Sequence, residues 1–142
     1  MKHFLSRLDH DRIVAAIAAA EKQTSGQIRV HVTRRKPADL EAAARARFTK
    51  LGMAKTAERN GVLFYICPNQ RRFQILGDTA VHEKCGDDFW KAVAAAMEEK
   101  LREGRFTDGI VLGVEKVGEI LAAHFPRKAG GHNALPDEVT ED

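Results

Sequence analysis

The sequence predicts an α/β fold, a three-layer α/β/α sandwich with a small mixed β-sheet and Rossmann-like layering. Three observations predict it. Residues 60–78 are the densest β-forming stretch of the chain, with apolar runs on either side of Pro68-Asn69-Gln70. Residues 27–33 alternate Ile28, Val30 and Val32 with Gln27, Arg29 and His31, as a half-buried strand does. Four longer segments carry apolar residues at helical spacing, and three strands among so many helices are most simply covered on both faces.

Taken in order, residues 9–24 form the first helix, with Asp9 or Asp11 as cap and Ile13, Ile17 and Ala20 on one face. Thr24-Ser25-Gly26 stops it, and Gly26 is expected in the left-handed conformation that ends many helices. After the first strand, Arg34-Arg35-Lys36-Pro37 is a basic loop. The second helix spans residues 38–51, with Leu40, Ala44, Phe48 and Leu51 in one stripe and Gly52 as its stop. A polar connection, residues 53–59, leads into the hairpin. There, residues 62–67 are an almost unbroken apolar run, suited to a strand covered on both faces. A turn at Asn69-Gln70 would set Cys67 opposite Arg72 and Gly61 beside Asp78. Residues 79–84 form a short helical turn ended by Cys85-Gly86. The next helix spans residues 87–103, with Phe89, Val93, Met97 and Leu101 on one face, and Gly104 closes it. The last helix starts with Thr107 or Asp108 as cap and runs to His124. Its face is Ile110, Val114, Val117 and Leu121, and Gly113 and Gly118 allow a close neighbour. The strand joined to the hairpin by a helix implies a parallel pair, and the hairpin adds an antiparallel strand.

The 142 residues, 44% hydrophobic and 30% charged, describe one globular domain over residues 1–126, followed by a mostly irregular tail over residues 127–142. The net charge of +3 is unevenly spread: residues 1–72 hold 15 Lys and Arg against 6 Asp and Glu, and residues 73–142 hold 8 against 14. Such a dipole can steer an anionic partner to the first half, although folding ordinarily mixes such charges into a solvated surface. Aromatic residues are too few for a nucleic-acid stacking platform, so no nucleic acid is expected. Cys67 and Cys85 form neither a C-x-x-C nor a zinc spacing; Cys67 reads as a small buried hydrophobe, and nothing beyond Lys84 activates Cys85. No apolar stretch approaches the roughly 18 residues of a membrane helix. Acidic residues interrupt the N-terminus where a signal peptide is apolar. A cytoplasmic protein without membrane insertion is expected.

No Walker A loop, G-x-G-x-x-G, G-x-S-x-G, H-E-x-x-H or EF-hand loop occurs. The candidate site is the end of the hairpin, where Arg59, Asn60 and Asp78 gather with His82 and Glu83 close behind. In one reading, Asp78 with Glu83 holds a hard cation, Ca²⁺ or Mg²⁺, through oxygen, and Arg59 grips a phosphate with its fork of donors. In the other, Asp78 caps the next helical turn and pairs with Arg59, while His82 packs on it. Asp87-Asp88 fits a helix N-terminus, and Trp90 fits the core. Arg34-Arg35-Lys36 and Arg71-Arg72 read as solvated charge or as anion sites. His31 and His124 read as structural. Gly130-Gly131-His132 belongs to the tail, with no strand before it to make a phosphate loop.

Several segments together resemble the TPM domain family, named from plant thylakoid-lumen photosystem II repair proteins and a nematode receptor modulator. They are residues 20–30, ending Thr24-Ser25-Gly26-Gln27-Ile28-Arg29-Val30; residues 56–63 around Glu58-Arg59-Asn60-Gly61; and Leu76-Gly77-Asp78. Val81-His82-Glu83-Lys84-Cys85-Gly86 and Phe89-Trp90 follow. Phe125-Pro126 and Asn133-Ala134-Leu135-Pro136-Asp137 resemble the end of the short, soluble bacterial subgroup. The resemblance implies an α/β/α sandwich. It also implies two functional readings, since some plant members are described as acid phosphatases and some bacterial members bind divalent cations. Many members carry a signal peptide and a membrane anchor; neither is expected here, so an envelope role is not expected to carry over. The family's acidic end-of-strand position falls on Asp78 and its Arg-Asn pair on Arg59 and Asn60. The resulting expectation is a divalent-cation-dependent phosphatase of low activity, with Asp78 and Arg59 as catalytic residues and a phosphate-containing substrate. The alternative is a non-enzymatic protein-binding or scaffold domain.

Overall fold

A computed structural model describes residues 9–127 and 139–141. The elements follow the chain as α1 (His10–Glu21), β1 (Gln27–Val32), α2 (Leu40–Lys50), β2 (Gly61–Cys67), β3 (Arg72–Gly77), α3 (Thr79–Cys85), α4 (Asp87–Arg102), α5 (Phe106–His124) and β4 (Val139–Glu141). Single 3-10 turns at Met53–Lys55 and Pro68–Gln70 fill two connections.

Local chemistry sets most of these boundaries. Asp9 and Asp39 accept hydrogen bonds from the amides of Arg12 and Ala42, capping α1 and α2 through donors a helix start leaves unpaired. Gly52, Gly86 and Gly104 each take positive φ where a helix or turn must reverse, a conformation nearly free for glycine. Gly26 does not belong to that set. Its φ is ordinary, and its lack of a side chain serves packing: a Cβ there would lie 2.9 Å from Leu121 Cδ1 and 3.3 Å from the Asn60 carbonyl. Nor do Thr107 and Asp108 cap α5. Arg105 holds the cap position, without a side-chain bond, and the Thr107 hydroxyl instead accepts the Asp9 amide at 3.0 Å.

The strand order is β3-β2-β1-β4. β1 runs parallel to β2 and to β4, and β3 is antiparallel to β2. In the hairpin Cys67 faces Arg72 and Val62 faces Gly77, and the Asp78 amide donates to the Gly61 carbonyl at 2.9 Å. The expected register is therefore present, although the connection is a 3-10 turn closed by Arg71 in the left-handed conformation. β4 is a strand that the sequence reading assigned to the irregular tail. It is seated by parallel pairing of Val139–Glu141 with Val30–Val32 and by a 2.7 Å bond between His31 Nδ1 and Thr140 Oγ1. The tail motifs around Gly130 and Asn133, and the N-terminal residues before Asp9, lie outside the described residues.

Each face of the sheet carries its own core, which is what three layers require. On one face Ile28, Val30, Val32, Val62, Phe64 and Ile66 pack against α1, α3, α4 and α5. Gly113 and Gly118 make this possible. A Cβ on Gly113 would sit 2.5 Å from Met97 Sδ, and one on Gly118 2.7 Å from Ala20 Cβ. On the other face Leu63, Tyr65, Cys67 and Leu76 pack against Leu40, Ala44 and Phe48 of α2, with Met53 beneath. β2 is thus buried at every residue. So is β1, which the alternation suggested would be half exposed: Gln27, Arg29 and His31 are buried too, and His31 stacks on Tyr65 with ring centroids 5.5 Å apart.

Between α1 and α5, Asp108 accepts from Arg12 Nη2 and from Arg105 Nε, each at 2.9 Å. The hydrogen bond from Arg12, then that from Arg105, holds its carboxyl below the ordinary aspartate range. A carboxyl lowered by folding stabilises the protein above the ordinary aspartate pKa and loses that contribution as pH falls through the lowered value. A carbon-detected NMR titration should show Asp108 protonating at a pH below that of free aspartate; titration at or above the free value would contradict this pairing.

Candidate functional site

The segments that lead into β1 and β2 meet at the amino-terminal end of the parallel pair. Thr56 starts a turn that its hydroxyl and carbonyl hold by accepting the Asn60 and Arg59 amides, each at 3.3 Å. The turn leaves Arg59 at φ 53, a region that non-glycine residues rarely occupy. Asn60, only 1% exposed, then donates through Nδ2 to Ser25 Oγ at 3.1 Å and to Glu58 Oε2 at 3.0 Å. The Ser25 hydroxyl also donates to Glu58 Oε2. Glu21 adds a further link, since its Oε2 accepts the Ile28 amide at 2.7 Å. A buried side-chain amide must find such partners, and these join α1 and β1 to the start of β2. The sequence reading named Asn60 but not Ser25, Glu58 or Thr56 as its partners. The available signal was the pairing of two short polar motifs, Thr24-Ser25-Gly26 and Glu58-Arg59-Asn60, each just before a strand.

Asp78 ends β3 and so stands at the same end of the sheet as Arg59. The two form a bidentate pair, Arg59 Nε to Oδ2 at 2.7 Å and Nη2 to Oδ1 at 2.9 Å. Oδ1 also accepts the Thr79 amide at 2.8 Å, which makes Asp78 the N-cap of α3. The Ala80 amide returns to the Arg59 carbonyl at 3.2 Å. The hydrogen bond to Asp78, then the charge of its carboxylate, raises the Arg59 pKa above the ordinary arginine value. The Asp78 side chain is 5% exposed and that of Arg59 49%, so the carboxylate is enclosed while the outer side of the guanidinium meets solvent.

His82 and Glu83 are not drawn into this pair. Both are exposed on α3. The His82 ring lies against Trp90 with centroids 6.1 Å apart, and its backbone amide, not its side chain, contacts Asp78. Trp90 in turn packs against the core and over Gly77, as expected of a core residue. Three of the roughly four acceptor positions of the Asp78 carboxylate are taken by N–H donors. Among the described residues no three His, Cys, Asp or Glu side chains are grouped as a metal ion would need. Partial burial pushes the Cys85 thiol up, with Lys84 opposing weakly, which is the opposite of what an activated thiol requires.

A three-layer domain with a mixed sheet and a polar latch across the amino-terminal ends of its parallel strands is the class these observations define. The chain belongs to the TPM domain family, whose model, named for a phosphatase, matches residues 1–120. Among solved structures it is similar to the BA42 protein of the psychrophilic bacterium Bizionia argentinensis, determined by NMR. The two are 37% identical over 94% of this chain and 92% of that one, with a TM-score of 0.88. The N-terminal domain of a protein from P. gingivalis, also an NMR structure, shares the fold at 19% identity and a TM-score of 0.62, over 84% of this chain and 75% of that one. No curated protein matches the chain. No described helix is long and apolar enough to cross a membrane.

Proposed function

We propose that this TPM domain acts as a binding module rather than as a hydrolase. One observation carries the reading: the charged constellation at the end of the hairpin is closed on itself. Asp78 spends its carboxylate on Arg59 and on the start of α3, and Asn60 spends its amide on Ser25 and Glu58. A catalytic carboxylate needs a lone pair or proton directed at substrate, and a phosphate clamp needs guanidinium donors that are not already matched. Here the same groups fasten β2, β3 and α3 together.

A second reading, a divalent-cation-dependent phosphatase, is favoured by the half-exposed guanidinium of Arg59 and by the family's name. It requires Arg59 to leave Asp78 and grip a phosphoryl oxygen. Hydrolysis of p-nitrophenyl phosphate, with and without Mg²⁺ or Ca²⁺, separates the two. The binding reading expects wild type and Asp78→Asn, each confirmed folded by circular dichroism, to give the same background rate in every condition. Cation-stimulated turnover that disappears in Asp78→Asn would establish the phosphatase instead.

A further inference from the structure

The two basic clusters of the sequence, 35 residues apart, lie side by side in the fold. Asn69 Nδ2 donates to the Arg34 carbonyl at 2.6 Å, and Gln70 Nε2 to the Pro37 carbonyl at 3.0 Å. Cys67 Sγ reaches the Arg35 carbonyl at 3.2 Å. These bonds fix the loop after β1 against the turn after β2, at the carboxyl ends of the parallel strands. That is the end at which open α/β sheets commonly bind ligands. Arg71 and Arg72 rise from the turn itself, and across from them the last turn of α4 supplies Arg102. Between lies an open groove of about 740 Å³, its walls made apolar by Phe73, Leu101 and Phe106.

Among the described residues no carboxylate lies within 4.0 Å of Arg35, Lys36, Arg71, Arg72 or Arg102, whereas nearby Arg105 is paired with Glu103 and Asp108. Arg71 and Arg59 are the two described non-glycine residues with positive φ. For Arg59 the strain accompanies a closed ion pair, but the Arg71 side chain is exposed and meets no described carboxylate.

We propose that this groove binds an acidic peptide segment of a partner protein, its carboxylates on Arg71, Arg72 and Arg102 and an apolar side chain between Phe73 and Phe106. The proposal rests on the binding-module reading and names the partner's chemistry. Charge complementarity selects an anion, and the apolar walls select one with a hydrophobic body. Glu98 lines the same groove, and Glu99 and Glu103 stand close by on and after α4. These acids interrupt the basic surface, which suits spaced carboxylates better than the continuous charge of a nucleic-acid backbone. A peptide spaces its carboxylates and offers N–H donors that Glu98 can accept.

The test is an NMR titration of the ¹⁵N-labelled full chain with a hexapeptide of alternating glutamate and phenylalanine. Its glutamine counterpart, inorganic phosphate and a short DNA duplex serve as comparisons. Shifts centred on residues 71–73, 98–102 and 106 are expected with the acidic peptide. In the variant carrying Arg72→Glu and Arg102→Glu, binding should weaken about tenfold or more with the melting temperature unchanged, since both residues are exposed. Equal binding of the glutamine peptide would overturn the proposal, and so would tighter binding of phosphate or DNA at these residues. Shifts confined to another surface would overturn the groove and leave the binding-module reading standing. Conversely, cation-stimulated phosphatase turnover would remove that reading without moving the peptide's shifts.

Discussion

Replacing Phe64 with alanine is expected to lower the unfolding free energy by about 3–5 kcal/mol, the usual cost of emptying a buried aromatic site. Phe64 is fully buried on the inner strand β2 and is the largest such side chain among the described residues. Its ring faces α5 at the point where Gly113 has no side chain, so Phe64 Cε1 would lie 3.0 Å from a Cβ there. Strand and helix are in near-contact across this ring, and neither can shift to fill the space without losing the packing of Met97 and Val114. Total stabilities of about 5–15 kcal/mol are typical of domains, so the loss is a large share of the whole. Urea unfolding checks it: the midpoint should fall while the slope is kept. A loss below about 1 kcal/mol would mean that the site collapses freely and that the two layers are not closely packed.

The second large effect is expected at Asp78, where Asp78→Ala should cost about 2–3 kcal/mol. Loss of the helix cap contributes about 1 kcal/mol, and loss of charge-assisted bonds to an enclosed carboxylate supplies the rest. Asp78→Asn should cost less, because the amide oxygen still accepts the Thr79 amide. Arg59→Ala should be milder than Asp78→Ala, because the guanidinium is half exposed and solvent replaces part of what it gives. Thermal melts of the three variants rank them, and an Arg59→Ala loss larger than that of Asp78→Ala would reverse this order.

Much of the fold was legible because local and global signals agree. The hairpin register followed from the turn residues and the apolar run, and β2 reads as doubly covered because it is. The glycines of α5 marked close approach correctly. Where the reading missed, a long-range contact overrides the local signal. Gly26 looks like a helix stop but is required by the approach of Leu121 and Asn60. Thr107 looks like a cap, yet its hydroxyl serves the Asp9 amide. The polar face of β1 looks exposed but is buried, with His31 stacked on Tyr65 of β2 and bonded to Thr140 of β4. β4 has almost no signal of its own; three residues after a stretch rich in glycine, proline and acids become a strand only because β1 offers an edge. The site was legible as a place, since the register brought Arg59, Asn60 and Asp78 together. Its polar partners Ser25 and Glu58 were not, because the parallel crossover that brings them together leaves no mark in either segment alone.

Arg59 and Asp78 act as one closed latch, and a double-mutant cycle on unfolding free energy tests this most directly. If the latch is real, the Arg59→Ala, Asp78→Ala double variant loses clearly less stability than the two single losses combined, because either change alone already opens it. Losses that simply add would contradict it and leave each side chain free for separate work.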